Sequence, residues 1–268
     1  MLKITFLLLI ISTAPVRALE DINLRFNLEH GFLAVLSHNI QFGQDGTEID
    51  LRNEGGQDIL FPFWRVCAEI ARYPHGFTFL YQPLALENVE AITRDLVVYD
   101  GTFPEDTPVR FNYGFPYYRF GYRYTFTEKN SAFDFGLGFS LQIRNANIVI
   151  SSLDGTLLSR SSDVGFVPLI AAFSNFRLAP SLRIESQING IYAPVRYLNI
   201  STTDVEGAFL EATIRTVFSY PPLYDYFLSI RYIGGGAEGT SDNDAPGDGF
   251  TSNWLNFLTI TLGISLNL

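Results

Sequence analysis

Hydrophobic positions in this chain recur every second residue, in many separate stretches. From Trp254 to Leu268 the even positions read Trp, Asn, Leu, Ile, Leu, Ile, Leu, Leu, with Thr259, Thr261, Gly263, Ser265 and Asn267 between them. Phe133, Phe135, Leu137, Phe139, Leu141 and Ile143 alternate with Asp134, Gly136, Gly138, Ser140, Gln142 and Arg144. The same split runs through 182 to 192, where Arg183, Glu185, Gln187 and Asn189 are polar, through 208 to 218 with Glu211 and Arg215, and through 113 to 126 with Arg119 and Arg123. A period of two places the two sets on opposite faces of a β-strand.

The pattern predicts ten strands, at 27 to 43, 59 to 72, 77 to 86, 114 to 126, 133 to 144, 164 to 173, 181 to 192, 207 to 218, 225 to 232 and 254 to 268. Connections 44 to 58, 87 to 113, 145 to 163, 193 to 206 and 233 to 253 are long, and those between them are short. Long and short connections in alternation, with an apolar outer face and a polar enclosed one, predict an all-β fold: a closed antiparallel up-and-down transmembrane β-barrel. Eight or twelve strands are the alternatives, because Asp95 to Asp100 and Pro108 to Asn112 leave room for another hairpin. A soluble β-sandwich also alternates, but it does not account for polar residues inside and aromatics outside.

The ends agree with export. Lys3, the apolar run Ile4 to Ile11 and the small residues up to Ala18 form the pattern of a secretory signal peptide, cut after Ala18. About eight apolar residues fall short of the roughly 20 a spanning helix needs. The expected organisation is therefore 1 to 18 as signal peptide and 19 to 268 as one barrel domain. The final strand resembles the C-terminal signal of bacterial outer-membrane β-barrel proteins, with Leu268 where Phe is usual. That resemblance implies an outer-membrane location, and an even strand count places both termini in the periplasm. The resemblance also implies the barrel-assembly machinery, outer-membrane lipid and lipopolysaccharide as partners. Two similar entries, Phe61-Pro62-Phe63-Trp64-Arg65 and Phe115-Pro116-Tyr117-Tyr118-Arg119, open strands as rim architecture does.

Charge narrows the functional classes. A formal net charge of −10 argues against nucleic acid as a partner. Cys67, the sole cysteine, excludes internal disulfides and multi-cysteine zinc sites; parity turns it inward as a small packing residue. Parity also places Glu29, Arg65, Glu69, Arg119, Arg123, Asp134, Arg144, Arg183, Glu185, Glu211, Arg215 and Arg231 in the lumen. In a narrow bore these charges must pair. The expected role is an ion-paired plug, with an anion-leaning pore as the functional alternative. The long connections hold 19 acids against five arginines, a rim able to attract divalent cations. Asp242, Asn243, Asp244 and Asp248 are the calcium candidates, though their spacing fits no EF-hand. No cofactor is implied. Of His30, His38 and His75 only His38, next to Ser37, lies in the half suited to hydrolysis, and its parity turns it toward lipid. The expected function is thus a non-enzymatic integral outer-membrane protein for surface binding, structural support or narrow-pore transport. The alternative is an outer-membrane hydrolase acting on lipid A, phospholipid or peptides.

Overall fold

The computed structural model describes residues 22–99, 101–129, 131–194, 204–220, 223–240 and 247–268. Its chain forms β1 (Asn23–Phe42), β2 (Ile49–Asp50), β3 (Leu60–Arg72), β4 (His75–Gln82), β5 (Ala85–Ala91), β6 (Leu96–Val98), β7 (Gly101–Phe103), β8 (Pro108–Gly114), β9 (Tyr117–Thr125), β10 (Phe133–Ser152), β11 (Leu158–Ala179), β12 (Leu182–Pro194), β13 (Asp204–Tyr220), β14 (Tyr224–Thr240) and β15 (Phe250–Asn267). Ten of these, in the order β1, β3, β4, β9, then β10 through β15, make a continuous antiparallel wall, and β15 closes it by pairing with β1 from Arg25↔Asn267 to Phe42↔Thr251. Reciprocal amide bonds between Leu24 and Leu268, at 3.0 and 2.8 Å, finish the seam.

The outer face is apolar at the end where Leu24 meets Leu268 and where the short turns lie. Phe26, Leu28 and Phe32 on β1, Leu228 and Ile230 on β14, and Ile260 and Leu262 on β15 are all exposed there. Further along the same strands that face turns polar, at Ser37 and Asn39 on β1 and Asn145 and Asn147 on β10. A bilayer crossing takes about 9–11 residues of tilted strand, whereas β10 has 20 residues and β11 has 22. The wall therefore continues well past the apolar band.

In that continuation the polarity is inverted, apolar inside and polar outside. This corrects two expected loops. Instead of a long connection at 145 to 163, β10 and β11 run on together to a five-residue turn at 153–157, where Gly155 takes a φ of 75°. Instead of a loop from 233, β14 extends to Thr240 through Gly234, Gly235 and Gly236. A Cβ on Gly236 would lie 2.1 Å from the Asn253 carbonyl oxygen, so glycine permits the close pairing with β15. The expected strand at 77 to 86 is divided after Gln82, and its continuation β5 joins the outer strand β8, which in turn pairs with the far half of β10.

Candidate functional site

The lumen is filled in two tiers. In the tier level with the apolar band, Glu29 on β1 accepts from Arg231 (2.9 Å) and Arg215 (2.7 Å), and Glu211 on β13 accepts from Arg119 (2.8 Å) and Arg65 (3.1 Å). Arg231 joins the two carboxylates, since its Nε lies 3.5 Å from Glu211. Glu185 carries the network toward the terminal end, with Arg183 at 2.9 Å, Arg25 at 3.3 Å and Arg215 at 3.5 Å; Arg183 also holds Asp225 at 2.7 Å. Glu29, Glu211 and Arg231 are each 1% exposed. Aromatic rings fill the space between the charges. The Arg215 guanidinium stacks 4.2 Å from the centre of the Phe227 ring, and that ring has room because a Cβ on Gly263 would lie 2.1 Å from it.

The other lumen candidates lie apart from this network. Glu69 pairs with Arg123. Asp134 accepts from Thr127 at 3.3 Å and Asn175 at 3.4 Å, and Arg144 lies over the Phe115 ring. Cys67 is free and half-buried. Arg25 and Asp225 are members that the sequence reading omitted. Arg25 falls before the expected strand start at 27, although it shares parity with Glu29, and Asp225 is the first residue of its expected strand.

Above the charges lies an apolar core. Leu33, Val35, Ile40 and Phe42 of β1, Ile148 and Ile150 of β10 and Leu255 and Phe257 of β15 meet residues brought in by two excursions, 43–59 and 83–116. The first excursion supplies Ile49 and Leu51, and the second supplies Leu86, Leu96, Phe103 and Phe111. The excursions are tied together by Thr47 N to Val97 O (2.8 Å) and by the Arg94–Glu54 ion pair (2.8 Å), and Tyr99 N to Phe42 O (3.1 Å) ties the second to the end of β1. They form a folded cap over the mouth.

His38 is placed contrary to its parity. The β1–β15 register shifts between Val35 and Ser37, so Leu36 is an extra residue that reverses the phase of the strand. His38 consequently points inward and is 0% exposed, while Ser37 points out. Its Nδ1 bonds the Gln57 side-chain oxygen at 2.7 Å, and its ring meets Tyr113 edge-on at 4.4 Å. It therefore fastens the first excursion and β8 to β1. Burial is the main influence on its titration and lowers the imidazole pKa to about 4, against the opposing pull of Gln57, Asn253 and Asp50. His75 lies at the turn end beside Tyr122 (2.7 Å), and His30 is exposed on the outer face.

At the rim, Asp248 accepts from the Gln44 and Phe250 amides at 2.7 and 2.9 Å. Asp242, Asn243 and Asp244 lie outside the described residues. Among the described residues no group of three or more His, Cys, Asp or Glu side chains is arranged to hold a metal.

No family model matches the chain, and no curated protein matches it in sequence. Among solved structures it is similar to the outer-membrane protease OmpT from Escherichia coli, at 10% identity and a TM-score of 0.51, over 92% of this chain and 97% of that one. The chain has the fold of a bacterial outer-membrane β-barrel. This outer-membrane barrel is also similar to the attachment invasion locus protein Ail of Yersinia pestis, at 9% identity and a TM-score of 0.38, over 91% of this chain and 99% of that one. A FadL homologue from Pseudomonas aeruginosa aligns at 7% identity and a TM-score of 0.40, over 92% and 90% of the two chains. The likeness is one of fold.

Proposed function

We propose that the protein is a sealed, non-enzymatic barrel that holds a folded acidic cap at the outer face of the outer membrane, with its signal peptide removed and both termini in the periplasm. The observation that carries this reading is the doubly filled lumen: buried ion pairs around Arg231 across the membrane level, and apolar side chains such as Leu33 and Phe111 above them. Filling of this kind argues against a continuous water path, and small barrels are commonly filled in this way. The cap's outer surface suits binding, since Glu48, Asp58, Glu87, Glu90, Asp95 and Glu105 are exposed there. That charge fits cationic partners, or lipopolysaccharide phosphates bridged by divalent cations. The burial of His38 and the position of His75 at the opposite end favour a non-enzymatic role over a hydrolase.

Planar-bilayer recording on protein purified from outer-membrane fractions tests the proposal. A sealed barrel gives no stable single-channel current at neutral pH. A steady, ion-selective current would replace it with the pore reading.

A further inference from the structure

The charges in the lumen do not balance. Among the described residues, one connected set of ion pairs joins Glu29, Glu185, Glu211 and Asp225 to Arg25, Arg65, Arg119, Arg183, Arg215 and Arg231. Six guanidinium groups face four carboxylates, an excess of two positive charges. The surplus is greatest in the interior, where Glu29 and Glu211 serve Arg65, Arg119, Arg215 and Arg231. An uncompensated charge in such surroundings is strongly unfavourable.

The same region has a surplus of hydrogen-bond donors. Arg231 Nη1, Arg65 Nε and Gln142 Nε2 are buried and make no hydrogen bond within the protein. The Gln142 amide cannot be reversed to relieve this, because its oxygen must stay toward Arg119, a donor only, at 2.7 Å. The Thr259 hydroxyl is also unpartnered, is 0% exposed, and belongs to the residue directly opposite Arg231 on the neighbouring strand.

We propose that the lumen binds a small inorganic anion of halide or phosphate type, seated between Arg231 Nη1 and the Thr259 hydroxyl. Water would accept hydrogen bonds from these donors but would leave the charge unbalanced; an anion answers both surpluses. The site rests on the filled lumen described above and is tested separately from it. A bilayer current would end the sealed-barrel reading without touching the anion site, and a melt blind to anions would do the reverse.

The test is thermal unfolding of the full chain in zwitterionic detergent at constant ionic strength, with sodium gluconate replaced stepwise by bromide or by phosphate. The wild type should melt higher as one of the small anions rises, saturably, by roughly 5 °C, and the ion that acts identifies the class. Bromide-soaked crystals should show anomalous scattering beside Arg231 Nη1 if the halide is the ligand. Thr259→Glu supplies a tethered carboxylate at the same place. It should melt in gluconate near the anion-saturated wild-type temperature and lose its dependence on the anion. Identical wild-type melting in gluconate, bromide and phosphate, with Thr259→Glu less stable than wild type, overturns the proposal. Should Thr259→Glu fail to fold, the wild-type melts decide alone.

Discussion

Glu211 is the residue on which the charged tier most depends, because Arg65, Arg119 and Arg231 all lie within 3.5 Å of it. Glu211→Ala leaves them facing one another and should destabilise the barrel by about 3–5 kcal/mol, read as a lower melting temperature in detergent. Glu87, whose pair with Arg110 spans 3.6 Å in the open, is the control. Its alanine variant should remain within about 0.5 kcal/mol of wild type, and equal losses at the two sites would show that the network is not stabilising. His38 gives a pH dependence of definite sign. Its folded pKa of about 4 lies below the ordinary value of 6.5. The unfolded chain therefore binds the proton first as pH falls. The stability held by the neutral ring is complete above about pH 6.5 and is lost on descending toward pH 4, an amount of roughly 3 kcal/mol. Fluorescence of Trp254, which stands near His38 in the β1–β15 register, should report loosening of the cap at pH 4.5 in the wild type and a flatter response in His38→Gln. A wild type equally stable at pH 7 and pH 4.5 would contradict this account.

At the scale of the strand, period-two reading succeeds while the surroundings stay constant and fails where they change. Phe133 to Arg144 and Trp254 to Leu268 were legible as strands because lipid outside and charge inside give a strong contrast. Residues 145–152 belong to the same strand as 133–144. They read as a loop because above the bilayer Asn145 and Asn147 face out while Ile148 and Ile150 face in. The bulge at Leu36 defeats parity in another way, since one inserted residue leaves the composition of β1 unchanged and reverses every side chain beyond it. Deleting Leu36 removes the unpaired residue and restores simple alternation with Ser37 outward and His38, Ile40 and Phe42 still inward in the β1–β15 register. The barrel should form, and residues 43–59 should resist limited proteolysis as in wild type. Rapid cleavage within 43–59 in the deletion variant would mean that the cap depends on the bulge itself.

At the scale of the whole molecule, the strand number and the closed antiparallel wall were legible because each strand carries its own signal. The cap was not, since its core joins positions as far apart as Leu33, Phe111 and Leu255, and only the folded chain brings these together. The pairing partners of the lumen charges are equally distant in sequence: Arg65 and Glu211 are 146 residues apart yet share a hydrogen bond. The closing pair, β1 with β15, has a consequence of another kind. Because the wall is a ring held together by its own ladder, covalent continuity around the circumference is redundant once the barrel has formed. A backbone break in the exposed turn at Asp154 to Thr156 removes no rung between β10 and β11. A protease site inserted at Gly155 and cut in the folded protein should therefore yield two fragments that migrate as one species on an unheated gel and separate only after boiling. Fragments that part without heating would show that the ring needs its chain intact.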